Sequence, residues 1–229
     1  MNGPLSWASV RWLLGLPAAL LCGCVYFSEH TLEGACSASL DSGIRNFCVV
    51  APGILWRGER PTPSDATWLV QHRVGSIVAV QLDDRKAFES ATPAVSLEHS
   101  ALYFRMTGFD PLKMVSRSSV DRQVAHFLAI LSVAPKPVYL HCRAGVDRAG
   151  VLIAAYRMLS EGVGREQAVA EMRRFRSPWI ALEEHYVRGL SGARQAEIRR
   201  QTEAWQARLR PDARIECLRG HCTLEPHLT

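Results

Sequence analysis

Cys142 and Arg148 are the two residues of this sequence whose types and spacing best suit covalent chemistry. Five residues separate them, in the segment from His141 to Gly150. A cysteine thiolate is a nucleophile, and a guanidinium can hold two phosphate oxygens in a planar fork. The spacing alone is weak support, because a chain with seven cysteines and this much arginine contains roughly 0.7 such pairs by chance. The surrounding residues therefore decide whether the pair forms a site.

The segment between these two residues has the properties of an anion-binding loop. Apolar runs at 138–140 and 149–159 flank it, which predicts a buried strand before the loop and a helix after it. Gly145 permits the dihedral angles and close approach that let successive backbone N–H groups point at an anion, and the helix adds its positive end near Arg148. These dipoles and the guanidinium favour the thiolate of Cys142. The loop residues expected to contact the substrate are Arg143, Ala144, Gly145, Val146 and Asp147.

The elements that must position this loop alternate between strands and helices. The predicted strands are 54–57, 76–80, 101–106 and 138–140. The predicted helices are 64–72 with Ser64 as N-cap, a helix capped by Ser118 or Ser119 that ends before Pro135, and then 149–159, 165–175 and 193–209. This order favours an α/β fold with a central, mostly parallel sheet covered by helices on both faces. Ligands of such folds bind at the carboxyl ends of the strands, which is where the 141–148 loop lies.

The motif His141-Cys142-x5-Arg148 in this setting resembles the protein tyrosine phosphatase superfamily, and specifically its compact, dual-specificity-like bacterial members. Segments 55–61, 74–82 and 167–172 are also similar to that family, so the resemblance spans residues 52–190. It implies hydrolysis of phosphomonoesters through a cysteinyl-phosphate, without metal or cofactor. In that reaction Cys142 is the nucleophile, Arg148 binds the phosphate, and His141 orients the loop.

The resemblance also implies a general acid on an upstream loop. Asp110 follows the strand predicted at 101–106 and is our candidate. It stands beside Pro111, so plain turn chemistry would explain it equally well. Asp121 is a rival candidate, although an acidic residue in the first turn of a helix needs no catalytic explanation.

Two loop residues depart from what the chemistry would favour. The family usually has Ser or Thr after the arginine, where the hydroxyl supports the thiolate as leaving group, but this chain has Ala149. Slow breakdown of the phosphoenzyme is expected, and a catalytically weak phosphate-binding module becomes an alternative. Asp147 should disfavour highly anionic ligands unless Arg143 or Arg148 pairs with it.

Phosphotyrosine, phosphoserine or phosphothreonine on proteins are the expected substrates. Inositol phosphates or phosphoinositides are the alternative, because the portion 143–145 is similar to loops of family members that act on them. The formal net charge of +5 suits an anionic substrate but is too mild to indicate nucleic acid.

The N-terminus has the pattern of an export signal. One positive charge, Arg11, precedes an apolar run at 13–21, which is too short for a confident transmembrane helix. The segment 21–24 resembles a bacterial lipobox in which Gly23 precedes the cleavage point and Cys24 carries the lipid. We therefore expect an exported, periplasmic or membrane-anchored protein. A cleaved soluble form, an uncleaved anchor and a cytosolic chain are the alternatives.

The remaining cysteines and the composition complete the domain plan. Cys36 and Cys48, and Cys217 and Cys222, are spaced so that two disulfides could form in an oxidising compartment, and four unpaired thiols are the alternative. The expected organisation is a signal or anchor at 1–24, a linker at 25–51, a phosphatase domain at 52–190 and a C-terminal helical extension at 191–229.

Overall fold

The computed structural model of the protein describes residues 36, 40–80, 101–106, 117–175, 177–208, 216–218 and 221–223. Within them, seven strands form one sheet in the order β1-β2-β5-β3-β4-β7-β6. The strands are β1 (Cys48–Ala51), β2 (Leu55–Gly58), β3 (Ser76–Val80), β4 (Leu102–Met106), β5 (Val138–His141), β6 (Glu216–Leu218) and β7 (His221–Thr223).

The sheet is mostly parallel, as the sequence predicts. Strands β2, β5, β3, β4 and β7 run parallel to one another, and β1 and β6 pair antiparallel with them at the two edges. The register aligns His141 at the end of β5 with Gly58 of β2 and Ala79 of β3. The carboxyl ends of these three strands therefore meet at one edge of the sheet.

Helices cover both faces of this sheet. They are α1 (Pro63–Gln71), α2 (Arg117–Val133), α3 (Asp147–Ser160), α4 (Arg165–Arg173), α5 (Ile180–Arg188) and α6 (Gly192–Arg208). Successive residues of β3 point to opposite faces: Ile77 and Ala79 pack in the cluster that includes Leu69 of α1, whereas Val78 and Val80 pack with the other helices. A strand buried on both faces is apolar throughout, which is why the sequence reads as one apolar run there.

Helix α1 begins two residues earlier than expected. Thr62, not Ser64, is its N-cap, because the Thr62 side chain accepts a hydrogen bond from the Asp65 backbone N–H while the Asp65 carboxylate accepts one from the Thr62 N–H. Ser118 and Ser119 likewise lie inside α2, which begins at Arg117. The proposed caps were therefore wrong, and at α1 the reason is that Thr62 could fill the position as well as Ser64.

The predicted linker at 25–51 is wrong at its C-terminal end, since Cys48–Ala51 form β1 and are buried. The Cys36–Cys48 disulfide predicted from the spacing is present and attaches residue 36 to this strand. The folded unit therefore begins before Pro52.

In the C-terminal extension predicted at 191–229, the described residues form α6 as far as Arg208 and then the strands β6 and β7, so the prediction of a purely helical extension was wrong. Sequence reasoning missed the β6–β7 hairpin, in which Cys217 and Cys222 lie opposite each other, and it also missed α5. Short strands and a nine-residue helix give little periodic signal. Of the helices in the described residues, none combines the length and apolar composition needed to cross a membrane.

Candidate active site

The loop between β5 and α3 carries Cys142 at its start. Cys142 is 1% exposed, and among the cysteines whose side chains the structure describes it is the one outside a disulfide. The loop ends where α3 begins at Asp147, so the positive end of α3 is directed at the same place. The strand, loop and helix predicted around Cys142 are thus present.

Gly145 is required in the middle of this loop for two reasons. Its φ is +69°, a conformation that side chains other than glycine rarely adopt. A Cβ atom on it would also lie 2.1 Å from the carbonyl oxygen of Gly58, at the end of β2. The loop therefore touches the backbone of the neighbouring strand, as the close approach expected of Gly145 implies.

Arg57 of β2 supports the loop from below. Its guanidinium is fully buried and donates hydrogen bonds to the carbonyls of Gly145 at 2.5 Å and Val146 at 3.1 Å, and its Cζ lies 3.7 Å from the centre of the Phe175 ring. Burial lowers the pKa of Arg57 to about 10, and the negative charge on Cys142 is among the groups that act against this lowering. The side chain remains cationic at neutral pH and places a positive charge under the loop.

Two further residues hold the outer part of the loop. The Asn46 side chain donates to the carbonyl of Ala144 at 2.9 Å, and the backbone N–H of Arg60 donates to the carbonyl of Arg143 at 3.4 Å. Both donors come from segments that flank the first two strands. Each carbonyl from residue 143 to residue 146 is therefore bound by a group outside the loop.

This arrangement determines where the loop's N–H groups point. In a planar trans peptide, the C=O and the N–H of the next residue point in opposite directions. Since the scaffold binds the carbonyls of residues 143–146, the N–H groups of residues 144–147 are directed to the opposite side. Several N–H groups converging on one side form an anion-binding concavity.

The Arg148 side chain lies at the same edge of the sheet. It is 8% exposed, and one terminal nitrogen donates to the carbonyl of Val80 at the end of β3, at 3.1 Å. Its Nε is buried and has no protein partner among the described residues. The guanidinium is thus anchored on one side and retains a donor for an oxyanion.

His141 is buried beneath the loop, with Nδ1 3.4 Å from the carbonyl oxygen of Cys142. Burial is the main cause that lowers the pKa of His141, to about 3. The ring is therefore neutral at neutral pH, which agrees with an orienting role and not with an acid–base one.

Asp147 forms no ion pair with Arg143 or Arg148 among the described contacts. Its carboxylate accepts a hydrogen bond from Ser177 at 2.5 Å. It borders a cleft of about 570 Å³ whose other lining residues are Arg45, Asn46, Ala144, Val146 and Pro178. Ala149 follows Arg148 on α3 and is fully buried. Because residue 149 is alanine, this position has no hydroxyl.

The two candidate acids are placed differently. Asp110 lies outside the described residues. The same holds for Cys24, the residue expected to carry the lipid. Asp121 is buried in α2, where it accepts hydrogen bonds from Tyr186 at 2.7 Å and Arg194 at 2.6 Å. These contacts give Asp121 a structural role.

Residues 49–189 match the family model described as DSP-PTPase phosphatase fused to NAD+ kinase. The match covers more than half of the chain, so the protein belongs to this family of dual-specificity phosphatases and is a cysteine-dependent phosphatase.

Two relatives match about three quarters of this chain and about three quarters of their own length. The dual specificity protein phosphatase TpbA of Pseudomonas aeruginosa strain PAO1 is 26% identical, over 75% of this chain and 74% of TpbA. TpbA of strain UCBPP-PA14 is 28% identical, over 76% of this chain and 74% of TpbA.

A solved structure shares the fold. The core catalytic domain of the PP-IP phosphatase SIW14 from S. cerevisiae is 19% identical with a TM-score of 0.50, over 71% of this chain and 94% of that one. The structure of P. aeruginosa TpbA is 22% identical with a TM-score of 0.49, over 77% of this chain and 99% of that one.

Sequence reasoning missed the residues that support the loop from a distance, namely Asn46, Arg57, Ser177 and Glu183. Arg57 left a signal, since a charged residue inside an apolar strand must find partners when buried. The other three have common polar types on loops or helices and left none.

Proposed function

We propose that this phosphatase is a phosphomonoesterase that works through a cysteinyl-phosphate on Cys142, independently of metal. The observation that carries this proposal is the loop itself. A buried cysteine stands where the backbone carbonyls are held outward and the N–H groups face one concavity. Arg148 supplies a planar guanidinium that binds the equatorial oxygens more strongly as charge develops on them.

The reaction has two half-reactions. The Cys142 thiolate attacks phosphorus, the bond to the leaving oxygen breaks, and the general acid protonates that oxygen. Water then attacks the phosphocysteine while the same residue removes its proton. The S–P bond breaks, which releases inorganic phosphate and restores the thiolate.

Asp110 is the proposed general acid. The chain leaves β4 at Met106, which pairs with Val80, and Val80 in turn carries the carbonyl that Arg148 contacts. The segment that contains Asp110 therefore starts at the edge of the sheet where the phosphate loop lies. Replacing Asp110 by Ala should lower kcat/KM, which reports the first half-reaction, more for a poor leaving group than for a good one.

Proteins phosphorylated on tyrosine, serine or threonine are the proposed substrates, with inositol phosphates as the alternative. The TpbA relatives support proteins as substrates, since they are dual specificity protein phosphatases. Initial rates on phosphopeptides and on inositol phosphates, at equal concentrations, would separate the two classes.

Turnover of an aryl phosphate by the purified protein tests the mechanism. We expect turnover by the parent under reducing conditions and none by Cys142→Ser, which should still bind tungstate, a tetrahedral oxyanion that mimics phosphate. Equal rates for the parent and Cys142→Ser would disprove the cysteinyl-phosphate. If the parent protein bound tungstate but turned over no aryl phosphate, the alternative of a phosphate-binding module would be supported.

Ala149→Ser examines the second half-reaction. A hydroxyl at this position should stabilise the departing thiolate, so kcat should rise. The rate constant of the first-turnover burst, which reports formation of the phosphoenzyme, should stay unchanged. A variant with unchanged kcat would show that breakdown of the phosphoenzyme does not limit turnover.

Export and attachment to a membrane through a lipid on Cys24 are also part of this proposal. The lipobox-like segment 21–24 and the Cys36–Cys48 disulfide, which persists in oxidising compartments, support it. Metabolic labelling with palmitate should mark the parent and not Cys24→Ala. Equal labelling of the two would disprove lipidation at Cys24.

A further inference from the structure

Ser177 connects the phosphate loop to helix α5. Its hydroxyl oxygen lies 2.5 Å from Oδ1 of Asp147 and 2.9 Å from Oε1 of Glu183, and it accepts a hydrogen bond from the backbone N–H of Trp179 at 3.0 Å. Ser177 is 7% exposed and Glu183 is 1% exposed, so water does not replace these contacts. Together with the half-buried Asp147, which precedes Arg148 in the chain, Ser177 and Glu183 form one hydrogen-bonded group.

The hydrogens of this group can be counted. A serine hydroxyl has one proton and two lone pairs, and the Trp179 N–H occupies one lone pair. One carboxylate can receive the Ser177 proton, and the other must bring its own proton to the remaining lone pair. If both were ionised, two oxygens would face each other with no hydrogen between them.

The distances identify which carboxyl carries the extra proton. A contact of 2.5 Å is typical of a hydroxyl bound to an ionised carboxylate, and 2.9 Å is typical of a neutral pair. We therefore assign the Ser177 proton to the shorter contact, with Asp147, and the additional proton to Glu183, which donates it to Ser177. The surroundings agree, because burial raises the pKa of Glu183 to about 7.

The charged groups that act on Glu183 come from each neighbouring element. Asp147 of α3 and Glu184 of its own helix favour the protonated form, whereas Arg57 of β2, and the hydrogen bond that Ser177 could donate to an ionised Glu183, favour the ionised form. Burial outweighs the last two.

We propose that Ser177 and Glu183 are positioning residues that hold the Asp147 carboxylate away from the phosphate cavity, and that they do so only while Glu183 is protonated. The inference rests on the proposed function, since it assigns the cavity to an oxyanion. When Glu183 ionises, its carboxylate becomes a second acceptor for the single Ser177 proton. Asp147 then shares the Ser177 hydrogen bond with Glu183. The freed Asp147 carboxylate then opposes the bound oxyanion or competes with it for Arg148.

Calorimetric binding of tungstate to the full chain carrying Cys142→Ser tests this proposal. Tungstate stays dianionic between pH 6 and pH 9, and serine does not titrate there, so neither contributes a pH dependence. We expect the affinity to fall about tenfold between pH 6 and pH 8.5. Adding Glu183→Gln, whose amide can still donate to Ser177, should abolish the fall.

Glu184→Gln is the matched control, because Glu184 neighbours Glu183 on α5 but pairs with Arg173. It should keep the fall in affinity and move its midpoint only slightly to lower pH, because the Glu184 charge makes the smallest contribution to the pKa of Glu183. Ser177→Ala should weaken binding about tenfold at pH 6 in the parent background and not at all when Asp147→Asn is also present. Circular dichroism of each variant would confirm that it is folded.

The outcomes separate this inference from the proposed function. If tungstate bound equally well at pH 6 and pH 8.5, and equally well with and without Ser177→Ala, the inference would be overturned and the proposed function would stand. A loss in Ser177→Ala that Asp147→Asn does not relieve would show that Ser177 acts through the fold of the loop, which also overturns it. Failure of the Cys142→Ser protein to bind tungstate under any condition would disprove the oxyanion site and the inference together.

Discussion

At the scale of single residues, Gly145 meets two separate requirements, a positive φ and contact with β2. Gly162 has almost the same φ, +71°, but a Cβ atom there would meet nothing within 4 Å. Alanine at either position carries the strain of positive φ, about 1 kcal/mol. Only alanine at 145 would also have to displace the backbone of Gly58.

We therefore expect Gly162→Ala to lose about 1 kcal/mol of unfolding free energy and to keep its kcat/KM. Gly145→Ala should lose more stability, and its kcat/KM should fall by about 100-fold because the loop must move by an ångström or more. Urea denaturation and turnover of an aryl phosphate measure the two effects. Equal behaviour of the two variants would show that the contact with Gly58 does not shape the loop.

Arg57 and Arg157 provide a second matched pair. Both guanidiniums are buried and donate to backbone carbonyls, but Arg57 binds Gly145 and Val146 of the loop, whereas Arg157 binds Val50 and pairs with Glu171. Lysine cannot span two carbonyls as a planar fork.

Arg57→Lys and Arg157→Lys should therefore both lower the unfolding free energy, each by about 3 kcal/mol. Only Arg57→Lys should weaken tungstate binding, because only Arg57 directs the loop carbonyls. Calorimetry on the two variants distinguishes these roles. Unchanged binding in Arg57→Lys would mean that the loop keeps its shape without that support.

These contacts show which part of the site can be predicted from sequence. Cys142, Gly145 and Arg148 lie within seven consecutive residues, so their types and spacing indicate a phosphate loop. Asn46 and Arg57 reach the same loop from far along the chain by binding carbonyls, and every residue has a carbonyl. Such contacts depend on the three-dimensional register and leave no pattern in the sequence.

At the scale of elements, the strands that hold the site were predictable because they are buried on both faces and are continuously apolar. Their order in the sheet was not, since apolar runs do not specify their neighbours. Helix α6 shows the same limit. Its composition is polar and predicted an extension, yet Ile198 is fully buried and Arg194 pairs with Asp121 of α2 at 2.6 Å.

Ile198→Ala tests whether α6 is part of the folded unit. Removing a fully buried isoleucine side chain should lower the unfolding free energy by about 2–5 kcal/mol. Ile54→Ala, at a side chain that is 41% exposed, should lower it by less than about 1 kcal/mol. Both variants should keep the KM of the parent. If Ile198→Ala lowered the unfolding free energy by no more than Ile54→Ala does, the packing of α6 against the domain would not contribute to its stability.

At the scale of the whole molecule, the site is assembled from three separated stretches of chain. Residues 45–60 bind the loop carbonyls, residues 141–148 form the loop, and residues 177–183 fix Asp147. The domain expected at 52–190 omits Asn46 and β1 and ends before α6. A fragment with those limits would lack one of the loop's supports and would expose the face of α2 that α6 covers.

Two buried groups with opposite pKa shifts set how the stability of the whole molecule depends on pH. Folding lowers the pKa of His141 from 6.5 to about 3, so the unfolded chain binds a proton that the folded protein excludes, and stability is lost as the pH falls below 6.5. Folding raises the pKa of Glu183 from 4.5 to about 7, so the folded protein binds the extra proton. Its contribution is present below pH 4.5 and is lost as the pH rises through 7.

Between pH 4.5 and 6.5 these two effects oppose each other, so the sum of the two contributions should be nearly flat there. Glu183→Gln removes the loss on the alkaline side, so relative to the parent the variant should gain up to about 3 kcal/mol of unfolding free energy between pH 4 and pH 8. Glu184→Gln should show no such gain, because Arg173 lowers the pKa of Glu184 and its ionised form stabilises the folded protein. Urea titrations at several pH values measure these differences. If the gap between Glu183→Gln and the parent were the same at pH 4 and pH 8, Glu183 would not change its charge in this range, and the proton counted on the Ser177 group would have to reside on Asp147 instead.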